Sequence, residues 1–241
     1  MRYSNSPLSR LLAVIALLAL TFTHTPAEAQ TPKPILKRVE VKGNADGKAK
    51  AEINYIQICN AKSHVALRRI ETSNRQEVFG EDVFVIGNKR CCDVLASTLT
   101  NLYYDGMFEL PSTSCFQEAK IMRGDKYITF STQKYAYLGG AHGIHYTHFS
   151  CYDLRSGERV DLDYLSHEMA LKSIIYDKCR NKISTPISFD EWPMPQIWHI
   201  TDKGVRFLYN PGEVGPIAYG QIEGDISDAS LRAVGVKIVW E

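Results

Sequence analysis

The 241-residue sequence predicts an α+β protein, an antiparallel sheet built from hairpins with about two helices packed against it. Three observations predict it. Apolar residues alternate through short runs rich in valine, isoleucine and tyrosine, the pattern of half-buried strands. Asp-Gly and Gly-Asp turns separate neighbouring runs, and such connections make antiparallel pairs. Two longer stretches repeat apolar residues at steps of three and four, the helical period.

The elements follow in order. LKRVEVKG and KAEINYIQIC flank NADGKA and form a first hairpin. Residues 61–80 are mixed and read as helix or loop, and VFVIG (83–87) reads as a short strand or a helix entry. From Asn88, Cys91, Leu95, Leu99, Leu102 and Tyr103 share one helical face, which Asp105-Gly106 ends. CFQEAKIMR and KYITFSTQKYAYL form a second hairpin around Gly124-Asp125. IHYTHFSCYDL and ERVDLDYL follow. Residues 163–182 carry a helical stripe of Leu165, Met169, Leu171, Ile174, Ile175 and Cys179. A proline-rich connector leads to WHIT and VRFLYNP around Asp202-Lys203-Gly204, and the tail alternates like strands.

Residues 1–29 read as a signal peptide. Arg2 and Arg10 precede the apolar LLAVIALLAL, and Ala27-Glu28-Ala29 is a cleavage pattern. That core is about half the length needed to span a bilayer, so no membrane span is expected after cleavage near Ala29. The expected location is periplasmic or secreted. The mature part divides into an N-terminal hairpin-plus-helix part (30–110) and a C-terminal part (111–241), expected to form one compact unit. Without the leader, acidic and basic residues are equal in number. A neutral chain lacks the electrostatic footprint of a nucleic-acid binder. All six cysteines (Cys59, Cys91, Cys92, Cys115, Cys151, Cys179) lie in the mature part, and export leads us to expect disulfides, with the pairing open.

The stretch YLGGAHGIHYTH holds His142, His145 and His148 after two glycines. Its continuation is rich in aromatic and β-branched residues, so it reads as turn then strand. On a strand, His142 and His148 lie roughly 20 Å apart. A zinc ion with bonds of about 2.1 Å cannot span that distance, so no metal and no cofactor is expected. No helix follows to cradle a phosphate, and no Gly-x-Ser-x-Gly is present. Binding is therefore favoured over catalysis. Carboxylate pairs of a hydrolase stay open among the acids, although none is singled out.

The residues Tyr137, Gly139, Gly140, Ala141, His142, Tyr152, Asp153, Gly157, Leu162 and Asp163, with GVRFLYNPGEVGPIAYG (Gly204 to Gly220), carry a resemblance. The sequence resembles the extracytoplasmic domain of unknown function at the C-terminus of RsiV-type anti-sigma factors, which also accompanies some polysaccharide deacetylases. Gly212 replaces a usual aromatic residue of that pattern, and Gly215 a usual alanine. The resemblance implies a recognition domain, with lysozyme the partner in the anti-sigma relatives. The expected function is an exported binding or sensor module for a lysozyme-like protein or a peptidoglycan or other envelope component. The alternatives are an envelope-glycan hydrolase and a structural exported protein. The expected contact residues are Tyr137, Gly139, Gly140, Ala141, His142, Tyr209, Glu213 and Tyr219. Glu213, Glu223, Asp225 and Asp228 lie in a stretch without lysine or arginine, compatible with a basic partner.

Overall fold

The first hairpin forms as its alternation dictates, β1 (Leu36–Ala45) against β2 (Ala49–Ile58), with Leu36 opposite Ile58 and Ala45 opposite Ala49. Asp46 and Gly47 turn with φ of 50° and 75°, a left-handed conformation that Asp tolerates and Gly favours. The computed structural model describes residues 31–81, 84–100, 110–139 and 142–240, and Pro32 onward forms one compact unit.

Two helices follow, α1 (Val65–Phe79) and α2 (Asn88–Thr100). The undecided stretch 61–80 is thus largely helix. His64 caps α1 by accepting the Ala66 N–H on Nδ1 at 3.2 Å, and Gly80 ends it with φ 92°. Phe84 to Gly87 form a turn rather than a strand, while residues 82–83 and the expected helix end at 101–109 lie outside the described residues.

This helical crossover returns the chain as β3 (Ser112–Met122) running parallel to β2, Lys50 opposite Ser112 and Asn54 opposite Phe116. The sheet is antiparallel, as expected, in every pair but this one, where a crossover replaces a tight turn. Past Asn54 the two strands part and side chains fill the gap. Gln117 Oε1 accepts the Ile56 N–H at 3.0 Å, and Asn74 Nδ2 donates to the Ile56 carbonyl at 2.8 Å. Gln117 Nε2 then donates to Asn74 Oδ1 and Thr132 Oγ1. Buried main chain without a ladder partner needs such substitutes.

The second hairpin pairs β3 with β4 (Tyr127–Tyr137), and β4 pairs with β5 (Ile144–Asp153), Tyr127 opposite Asp153 and Ala136 opposite Ile144. The expected strand-turn-strand around GGAHG is therefore present, with Gly140 and Ala141 outside the described residues. The sheet runs β1-β2-β3-β4-β5. Its helix-facing side buries Ile53 and Tyr55 with Phe79, Cys91 and Cys92, and Ile128, Phe130 and Tyr152 with Leu67 and Ile70.

After β6 (Val160–Asp163) come α3 (Glu168–Cys179) and the strands β7 (Ile197–Thr201), β8 (Gly204–Tyr209) and β9 (Ile222–Ser227), which form a second, antiparallel sheet. A short α4 (Asp228–Ala233) leads to β10 (Lys237–Trp240), which pairs with β6. Leu171, Ile175 and Cys179 of α3 pack on Val205, Phe207 and Ile226, so this helix covers one face of the second sheet, as sheet patterning requires. Leu165 (79 % exposed) and Met169 do not join the stripe, because the chain enters α3 through a 3-10 turn. Four α-helices stand among the described residues where about two are expected.

The expected disulfides do not form among the described residues. Cys59 is exposed, Cys151 and Cys179 sit in separate cores, and Cys115 joins Cys91 and Cys92 in a third. The thiol of Cys91 donates to the Ile86 carbonyl, and that of Cys92 to the Val41 and Ala51 carbonyls. These cysteines act as small core residues, a common role for buried thiols.

Candidate functional site

Strand pleating sorts the five-stranded sheet into two faces. Gln117, Ala119 and Ile121 of β3 turn toward α1, so Glu118 and Lys120 turn to the opposite side. Ser131 and Gln133 of β4 and Thr147 and Phe149 of β5 share that side by register. The second sheet supplies the facing wall through His199, Arg206, Leu208, Glu223 and Asp225. Between them lies a cleft of about 1010 Å³.

Three contacts fix the walls. Phe149 and His199 pack as tilted rings with centroids 4.3 Å apart, and Phe149 packs with Ile197 and Leu208 at the base. Asn210, just past β8, hydrogen-bonds both backbone groups of Thr147, at 2.7 and 3.0 Å. Arg123, at the tip of the β3–β4 hairpin, donates to the carbonyls of Thr201 and Gly204 and to Asp228 Oδ1 (2.7 Å), while its N–H binds Asp202 Oδ1 (2.7 Å).

The charges of the cleft are unevenly committed. Asp225 accepts from Arg206 Nε at 2.7 Å and Nη2 at 2.9 Å, and that guanidinium holds its carboxyl below the usual range. Glu223 lies 3.5 Å from the same group. His199 donates Nδ1–H to the Ile200 carbonyl, and burial lowers its pKa, leaving a neutral imidazole on the cleft wall. Arg38 reaches the Asn54 side chain and the Gln117 carbonyl and stacks over Phe116 at 4.7 Å.

The contact residues expected from sequence scatter. His142 is exposed, with Tyr137 and Gly139 half-buried beside it, at the far end of the β4–β5 hairpin. Gly139 has φ 89°, as the turn requires. Gly140 and Ala141 lie outside the described residues. Tyr209 is 1 % exposed: its hydroxyl donates to the Pro193 carbonyl (2.7 Å) and accepts from Trp192 Nε1 (3.0 Å), so it packs the core. Glu213 caps a turn by accepting the Asn210 N–H. The Tyr219 hydroxyl ties Ser184 and Thr185, whose hydrogen bonds lower its pKa. None of the expected residues among the described ones lines the cleft.

The histidines separate as a strand demands. His145 lies against the ring of Tyr135 (4.6 Å), while His148 is on the other face beside Glu77 (3.6 Å). Burial lowers the His148 pKa despite that carboxylate. The acidic stretch is also internally engaged: Asp225 and Glu223 face Arg206, and Asp228 binds Arg123. Gly212 and Gly215, the departures from the resembled pattern, have φ of 91° and 81°, a backbone that an aromatic residue or alanine would strain.

Apart from Glu223 and Asp225 of the acidic stretch, the cleft residues were missed by sequence reasoning. Their signal is polar alternation within strands, Glu118 with Lys120 and Glu223 with Asp225. Alternation names a solvent face and does not say that two such faces meet.

Among the described residues, no helix is long and apolar enough to cross a membrane. No curated protein matches the chain. A solved DUF3298 family member from Bacteroides fragilis has 16 % identity and a TM-score of 0.62, covering 84 % of this chain and 93 % of its own. A second, from Pseudomonas aeruginosa PAO1, has 13 % identity and a TM-score of 0.56, covering 84 % and 94 %. At such identities these show a shared fold. Residues 164–228, from the entry to α3 to the end of β9, match the family model "Protein of unknown function (DUF3298)".

Proposed function

We propose that the protein is an exported binding module that holds an extended cell-envelope component in the cleft between its two larger sheets. The observation that carries this is the cleft itself: about 1010 Å³, walled by rigid strands and lined mainly by polar side chains. Export follows from the leader pattern of residues 1–29. The resemblance to the extracytoplasmic domain of anti-sigma factors supports a recognition role. A cationic, lysozyme-like partner is less well supported, because Glu223, Asp225 and Asp228 already pair with Arg206 and Arg123. Glycan hydrolysis needs a carboxylic acid that retains its proton, and Arg206 drives Asp225 the other way.

The test is a pull-down of soluble envelope fragments and, separately, of lysozyme, with the native protein and Gln133→Trp. Gln133 is exposed on the cleft floor, so the indole fills the cleft without entering a core. Envelope fragments should be retained by the native protein and lost with the variant. Equal retention by both would place binding elsewhere on the molecule.

A further inference from the structure

We infer that the ligand of this cleft is an acidic oligosaccharide, a chain of sugars bearing carboxylates. This rests on the reading of the cleft as the binding site and adds the ligand's chemistry.

The charge argument comes first. Arg206 occupies Asp225 and Glu223 of the wall, and Asp202 accepts the Arg123 N–H. Lys120 on the floor and Lys178 and Lys203 on the wall also line the cleft, and none is in an ion pair or hydrogen bond through its ammonium among the described residues. Lys178 contributes only its field to Asp225. Glu118, two residues from Lys120 on the same strand face, is the floor's opposing carboxylate. With Arg38 and Arg206, five cations among the described lining residues face four carboxylates (Glu118, Asp202, Glu223 and Asp225), and the lysine ammoniums have no carboxylate within ion-pair distance. A carboxylate-bearing ligand supplies the missing partners.

The polar argument selects sugar over peptide. Between the cations stand hydroxyls and amides: Ser131, Gln133, Thr201, Gln221 and Ser230. The apolar residues, such as Phe149, Leu208 and Ile226, are buried and already packed, so they offer no pockets for peptide side chains. Adjacent donors and acceptors, as in the Arg206–Asp225 pair, match the neighbouring hydroxyls of a sugar ring.

The experiment is calorimetric titration of the purified protein with three probes: oligogalacturonate, the neutral maltoheptaose and poly-glutamate. Oligogalacturonate should bind most tightly and weaken as salt rises, because screening shortens the reach of the lysines. Lys120→Gln with Lys203→Gln should lower its affinity at least about tenfold. Glu118→Gln should raise it. Both changes are at exposed positions, and thermal melts confirm that the variants fold. Maltoheptaose binding as tightly as oligogalacturonate, unaffected by the lysine changes, overturns the acidic assignment and leaves the cleft reading standing. Preference for poly-glutamate overturns the sugar assignment. Oligogalacturonate binding that ignores both the lysine changes and Gln133→Trp overturns the cleft reading itself. No binding by any probe overturns the inference, while the envelope pull-down still tests the cleft.

Discussion

Asn210 grips both backbone polar groups of Thr147: Oδ1 accepts the Thr147 N–H at 2.7 Å, and Nδ2 donates to the Thr147 carbonyl at 3.0 Å. The amide side chain does here what a sixth strand would do for the edge of β5. Asn210→Leu should cost about 2–3 kcal/mol, because it leaves two buried backbone groups without partners. Asn210→Asp keeps the acceptor and should cost less at acidic pH. Urea midpoints at pH 5 and 8 check both; a native midpoint for Asn210→Leu would show that the docking is not anchored there.

Arg123 combines a clamp with an unusual backbone. Its guanidinium joins the turn of the second sheet to α4, and its φ is 54°. Arg123→Ala should destabilise by about 2 kcal/mol through lost charge-assisted bonds. Arg123→Gly loses the same bonds and relieves the left-handed strain, so it should be less destabilising than alanine by about 1 kcal/mol. Thermal melts of the pair decide it, and equal melting temperatures would remove the strain from the account.

Gly43 lies in β1 where α2 crosses at contact distance. A Cβ there would stand 2.2 Å from the Cys92 carbonyl oxygen and 2.8 Å from the Asp93 nitrogen. Both obstacles are backbone, so Gly43→Ala should cost more than about 2 kcal/mol. Gly47→Ala, with open space but φ 75°, should cost about 1 kcal/mol. Chemical denaturation of the two variants measures the difference between a close approach and a strained turn.

Glu71 gives the stability a pH signature. Its carboxylate accepts the Ile58 N–H at 2.7 Å, yet burial raises its pKa to about 7. The folded state therefore keeps a proton that the unfolded chain releases above about pH 4.5, so Glu71 lowers stability as pH rises from there to about 7. Glu71→Gln should be up to about 3 kcal/mol more favourable, relative to the native protein, at pH 8 than at pH 4.5. Burial of His148 and His199 acts oppositely, reducing stability as pH falls below about 6.5, and cancels in this comparison. A pH-independent difference would mean that Glu71 titrates normally.

The cysteines provide a direct chemical test. Cys59 is exposed, whereas burial raises the Cys92 and Cys115 thiols to about 11 and also raises Cys151 and Cys179. A thiol reagent at neutral pH should modify Cys59 rapidly and the others only on unfolding, since the thiolate reacts. A protein mass unchanged by reduction, with all thiols titratable in denaturant, would complete the result. Loss of titratable thiols in pairs would restore the disulfide expectation.

What the sequence determined by itself is local. Asp46-Gly47 and Gly124-Asp125 set their hairpins because few residues adopt positive φ cheaply, and alternation set the registers of β1–β2, β3–β4 and β4–β5 because a slip of one residue would exchange the buried and exposed faces. The strand character of IHYTHF was likewise legible, and with it the separation of His145 from His148. Tertiary structure decided the rest. The parallel β2–β3 pair depends on where a two-helix crossover lands, and Gly43 is glycine because α2 lands there. Tyr209 is a core residue because Trp192 and Pro193 arrive from a distant connector to satisfy its hydroxyl. The cleft pairs β3 and β4 with β8 and β9, about seventy or more residues apart in the chain. Side-chain periodicity fixes a face within one strand; which faces meet is fixed by long-range packing, through contacts such as Asn210 with Thr147 and Arg123 with Asp228.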